Sequence, residues 1–153
     1  MKHTKVNDLK KQINILKNTV VKVGYFEDSK RTDGLPNAYV AAINELGSPT
    51  NNIPPRQTLG PALQNNKEEF SKIIANSFKN GTIKEGFEIL GQLAVSKVKS
   101  EIATLKSPAL KESTIRARLR GKKQGKSVSL TIAKPLVHTK QMLQAVDYEV
   151  GQK

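Results

Sequence analysis

The apolar positions of the chain fall into a few clear periods. Val6, Leu9, Ile13 and Leu16 recur at spacings of three and four with lysines between them. That spacing predicts a helix over residues 4–17, which Thr4 can cap. TVVKVGYF, residues 19–26, places Val21, Val23 and Tyr25 on one parity and predicts a strand. EDSKRTDG follows as a polar turn. Pro36 then opens PNAYVAAINEL, with Tyr39, Ile43 and Leu46 on one face and Gly47 as its stop. Pro61 starts another helix, marked by Leu63, Phe70, Ile73, Ile74 and Phe78 and ended by Gly81. Ile83, Phe87, Leu90, Ala94, Val98, Ile102 and Leu105 recur at helical spacing and predict a long helix, about 82–105. Such a helix spans roughly 36 Å at about 1.5 Å per residue. In a chain of this size, part of it is expected to pack on a neighbouring subunit.

Pro108 ends the helical section. ESTIRARLR reads as a short helix or an extended segment. GKKQGK has nothing to bury and is expected to be mobile. Val128, Leu130 and Ile132 alternate in SVSLTI, residues 127–132, as in a strand. Thr139 can cap a short helix through Met142, Leu143 and Val146, and residues 147–150 read as a closing strand. No internal repeat or domain linker is evident. The expectation is one α+β domain over residues 1–153: a small, mostly antiparallel sheet packed against two or three helices, one of them long, with extended loops.

GSPTNNIPPRQTLGPAL, residues 47–63, holds four prolines and two glycines. Its composition is that of a linker, but Gly47 ends one helix and Pro61 opens another. Pro54 and Pro55 stiffen the backbone between them. Arg56 is the one charged side chain of the stretch. Two readings stand: a rigid connector within one subunit, or a projecting loop over 48–59 that docks on the next. The candidate docking residues are Ile53, Pro54, Pro55, Arg56 and Leu59.

Charge changes this picture. The chain has 153 residues, with 26 Lys and Arg against 13 Asp and Glu, so the net charge is +13. An excess of that size suggests a polyanionic partner, DNA or RNA first. Arg116, Arg118, Arg120, Lys122, Lys123 and Lys126 lie together with no acid among them, and without these six the net charge is +13 − 6 = +7. One reading of residues 116–126 is a mobile cationic loop that contacts phosphates without reading sequence. The other is a solvated loop. The segment has no interleaved aromatics, so base stacking is disfavoured. No apolar run is long enough for a membrane span, and the N-terminal MKHTKVNDLKKQ has no apolar core of a secretory signal. There are no cysteines, which excludes disulfides, thiol catalysis and cysteine-ligated metal.

Catalytic chemistry finds little footing. His3 and His138 have no partner at metal-ligand spacing, and turn or surface histidines are the simpler reading. No phosphate-binding glycine loop and no GxSxG elbow is present. Glu27, Asp28 and Asp33 cluster in a turn, where acids are common. A metal-dependent nuclease would need Asp28 and Asp33 with Asp147 or Glu149, a scattered set. No catalytic, cofactor-binding or metal residue is nominated, and no enzyme activity is expected.

Three stretches in order carry a resemblance. AYVAAINELGSPTNNIPPRQTLGPAL resembles an alanine-rich helix, then NE-x-G, then IPxRPFLRPAL. SPALKESTIRARLRGKK resembles PPLSxxTIxxRxxxG, and KPLVHTKQMLQAVDYEV resembles KPLIDTGxLxxSIxYxV. Over about residues 20–150 the chain is similar to the neck and tail-completion proteins of tailed bacteriophages, the head–tail joining and tail-terminator-like group. Pro54–Arg56, Lys134–Leu136 and Tyr148–Val150 match. Gln57 and Thr58, His138 to Lys140, and Ala145 depart from the pattern. The resemblance implies a structural virion protein, assembled in the bacterial cytoplasm, that forms a ring through which double-stranded DNA passes. The ring is expected to be a hexamer, with a dodecamer as the second option. Its partners would be other copies of itself, adjoining neck, connector or tail-tube proteins, and non-specific double-stranded DNA, without membrane or cofactor. The alternative is a free basic nucleic-acid-binding protein that contacts phosphates through residues 116–126.

Overall fold

A computed structural model describes residues 2–26, 34–120 and 141–153. The fold is α+β. Helix α1 (Lys2–Asn18) runs directly into strand β1 (Thr19–Tyr25), and α2 (Asn37–Leu46) follows. Helices α3 (Leu59–Asn65), α4 (Lys67–Asn80) and α5 (Ile83–Thr104) form the middle of the chain. Then come α6 (Glu112–Arg120), α7 (Gln141–Ala145) and strand β2 (Val146–Gln152). The expected elements within the described residues are therefore present. The strand expected at 127–132 and the turn at 27–33 lie outside the described residues.

The two strands pair antiparallel, with Val21 opposite Val150, Val23 opposite Tyr148 and Tyr25 opposite Val146. These six residues alternate with Lys22, Glu149 and Asp147, which are exposed. The period of two thus puts one apolar face against the helices and one charged face in solvent. Lys22 lies opposite Glu149 on that outer face, a favourable cross-strand pair.

Helix α5, 22 residues long, is the spine. Its stripe of Ile83, Phe87, Ala94, Val98 and Ile102 is buried within the chain itself. Val98, Ile102, Ala62 of α3 and Val146 of β2 form the core, with Val23, Tyr25, Leu59, Val95 and Leu143 packed around them. The stripe is covered by α3, α4 and the sheet, while Leu90 borders a surface groove and Ile89 is 51 % exposed. Lys97 of α5 also pairs with Glu69 of α4 at 2.7 Å.

The single helix expected from Pro61 to Phe78 is two helices. Asn66 has φ −109 and ψ 11, outside the helical pair, and its side-chain amide donates to the Ala62 carbonyl at 2.8 Å. A short amide that bonds the backbone competes with the helical ladder and favours a break. The sheet docks closely on α5 at Gly91, where the ring of Tyr148 lies against the helix backbone. The Tyr148 hydroxyl donates to Glu88 one turn earlier at 3.0 Å.

A Cβ at residue 91 would fall inside contact distance of the Tyr148 ring. On helix propensity alone, Gly91→Ala should stabilise by about 1 kcal/mol. The contact predicts the opposite sign, a loss of roughly 1–3 kcal/mol in urea unfolding, as for other overpacked sites. The loss should shrink in a Tyr148→Ala background, and a stabilised single mutant would contradict the packing.

Candidate functional site

The proline-rich segment 47–63 is shaped, and most of it is held by its own chain. Gly47 caps α2 with φ 77, and its N–H donates to Ile43 O at 2.8 Å. A Cβ there would stand 3.0 Å from Ile53 O and from Pro55, so this position requires glycine on two counts. Residues 48–53 then turn back on themselves. Ser48 and Ile53 exchange both backbone hydrogen bonds, at 2.9 and 3.0 Å. Asn52 takes the left-handed conformation at φ 56 that the turn demands, a role asparagine tolerates well.

Beyond the turn the chain is clasped by the end of α2. The Arg56 N–H donates to Asn44 O at 2.5 Å. The Glu45 carboxylate accepts from the N–H groups of Thr58 at 2.7 Å, Leu59 at 3.2 Å and Gly60 at 3.0 Å. These donors open α3 and have no helical acceptor of their own. An anion at a helix N-terminus satisfies them and complements the helix dipole. Helix α3 therefore starts at Leu59, two residues before the expected Pro61, which sits in the first turn where no N–H is missed.

Arg56 extends the clasp. Its side chain is buried, at 7 % exposure, and donates to Pro108 O at 3.0 Å and Ala109 O at 3.1 Å. Burial lowers its pKa from the ordinary value, yet an arginine remains cationic in proteins. This corrects the docking assignment. Arg56 is an internal tie with no free guanidinium, and Leu59 packs on the core. Pro55 is exposed, and Ile53 and Pro54 are half-buried beside the 48–53 turn.

Tyr25 of β1 feels the Glu45 charge. Burial, and secondarily the Glu45 charge, push its phenol well above the ordinary tyrosine range. Among the described residues its hydroxyl has no hydrogen-bond partner.

The basic segment is divided. Residues 116–120 are the end of helix α6, which realises the short-helix alternative for ESTIRARLR. Arg116 and Arg120 lie four apart and share one side of a shallow surface with Glu112 and Leu119. Arg116 is paired with Glu112 at 2.5 Å, so part of its charge is locally neutralised. Arg118 is in the same helix, while Lys122, Lys123 and Lys126 lie outside the described residues, as do Glu27, Asp28, Asp33 and His138. Asp147 accepts from the Tyr148 N–H at 2.8 Å, and Glu149 faces Lys22. Among the described residues no group of three His, Cys, Asp or Glu is placed to hold a metal ion. None of their helices is long and apolar enough to cross a membrane.

Among the described residues, two groups of apolar side chains are well exposed. One is at α2, where Leu35, just before the helix, and Tyr39 and Leu46 on it are 45, 57 and 76 % exposed. The other is α1, whose Val6, Leu9, Ile13 and Leu16 are 50, 47, 37 and 38 % exposed. Periodicity marked the α1 set and, at α2, Tyr39 and Leu46 but not Leu35, and periodicity cannot distinguish a stripe that meets its own core from one that meets a partner. No family model, curated protein or solved structure matches the chain.

Two measurements test the clasp. Arg56→Ala removes the buried guanidinium and leaves the part-buried Pro108 and Ala109 carbonyls without its donors, and should lower stability by about 1–3 kcal/mol, with Glu45→Gln costing about 1–2 kcal/mol. Urea unfolding reads both, and unchanged midpoints would refute the clasp. For Tyr25 the folded pKa is raised, so its contribution is complete below the unfolded value of about 10 and is lost as pH rises through the folded value. Stability should therefore fall above pH ~10, and fall less in Tyr25→Phe.

Proposed function

We propose that this chain is a structural virion protein of a tailed bacteriophage, a ring-forming neck or tail-completion subunit. The clasp carries the reading. Two of the stretches that resemble that group, 38–63 and 107–123, are tied to each other by Arg56, which reaches from one to the backbone of the other. The third stretch ends in β2, which closes the sheet on β1 beside Tyr25. The described parts of the first two stretches are thus joined directly, and Tyr25 links the third to them through Glu45.

The exposed α2 face supports the reading further. A closed ring joins unlike faces of successive subunits, and each face needs apolar area at its centre. Leu35, Tyr39 and Leu46 supply such an area directly beside the clasp, whose rigidity would hold it in register. This face replaces Arg56 as the candidate subunit contact. In such a ring Arg116 and Arg120, with the lysines that follow, would meet phosphates without sequence readout.

The full chain should form a closed ring in native mass spectrometry and negative stain, alone or on its partner. Tyr39→Asp with Leu46→Asp should abolish the ring and incorporation into particles while the circular dichroism spectrum is kept. A double variant that assembles normally would overturn the α2 assignment. A chain that stays monomeric, is absent from particles and binds duplex DNA with a steep salt dependence would favour the free nucleic-acid-binding alternative.

A further inference from the structure

Helix α1 presents a second surface, and its chemistry specifies what covers it. Val6 and Ile13 are seven apart, as are Leu9 and Leu16, so the four form a narrow seam with the a and d spacing of a coiled coil. All four are more than a third exposed. The seam continues into a groove of about 520 Å³ between α1, α4 and α5, lined by Leu16, Phe70, Ile74, Phe78 and Leu90. Leu16 belongs to both, so seam and groove are one apolar surface.

The charges that flank the seam and line the groove have one sign, while Asp8 and Glu85 lie on the adjoining surface beside Leu9. In the heptad frame set by Val6, the flanking positions are Lys5, Lys10, Gln12 and Lys17. The three lysines are exposed. The charged residues lining the groove are Lys67 and Lys79.

We propose that α1 and the adjoining groove form a docking surface for an acidic amphipathic helix of another protein. Such a helix would lay its apolar seam along Val6, Leu9, Ile13 and Leu16 and insert one side chain between Phe70 and Phe78. Its flanking carboxylates would meet the lysine rims. A second copy of this chain is a poor occupant, because pairing α1 with α1 places lysine against lysine at the flanks. A membrane surface fits less well, since the seam is narrow and aliphatic and ends in a concave groove. The inference does not depend on the ring reading, which rests on the clasp and on α2.

The test uses the full chain and two synthetic three-heptad peptides with leucine at a and d. One carries glutamate at the flanking positions and the other lysine. Fluorescence anisotropy at low salt should show the glutamate peptide binding about tenfold tighter or more. Lys10→Glu with Lys17→Glu should invert that preference, and Ile13→Asp should abolish binding of both peptides. Tyr39→Asp with Leu46→Asp should change neither affinity, which separates this surface from the ring. Equal binding of the two peptides, or none, would overturn the proposal. So would self-association of the chain that Ile13→Asp removes, or binding confined to vesicles of anionic phosphatidylglycerol.

Discussion

The Glu45 carboxylate is the interaction on which the rest of the structure depends. It accepts three backbone N–H groups at the start of α3, and neighbouring Asn44 O accepts a fourth from Arg56. Those donors would otherwise be unsatisfied as α3 enters the core. With them bound, α3 can place Leu59 and Ala62 against Val98 and Ile102 of α5. The same charge acts on the buried Tyr25 of β1, so one side chain couples α2, α3 and the sheet.

Arg56 carries that constraint across the molecule. It leaves a segment stiffened by Pro54 and Pro55 and fixes the chain at Pro108 and Ala109, just before α6. A long side chain with a planar fork holds two carbonyls in one fixed geometry, which the rotating ammonium of a lysine does not impose. The proline-rich stretch is therefore an internal brace. Only its 48–53 turn projects, and that turn is bonded to itself.

Because α3, α4 and the sheet cover the buried stripe of α5, most of the exposed apolar area among the described residues belongs to the peripheral helices α1 and α2. The α2 face is apolar and flanked by the clasp. The α1 seam is apolar and rimmed by lysines. Electrostatic complementarity at the α1 rim would contribute to choosing the partner more than to raw affinity.

Local chemistry was sufficient for much of this protein. Periods of two and 3.6 placed α1, β1, α2, α5 and β2 closely, since each signal lies within a few neighbouring residues. Gly47 and Gly81 marked helix ends because only backbone conformation was at stake. The break at Asn66 and the early start of α3 were not legible, because both depend on which group meets a particular N–H or carbonyl. The fates of Glu45 and Arg56 were hidden for the same reason: their acceptors and donors lie 13 to 53 residues away along the chain. The sequence identified every apolar stripe, but only the tertiary structure decided which face inward. Periodicity records that a helix has an apolar side, and packing decides whether the chain itself or another molecule covers it.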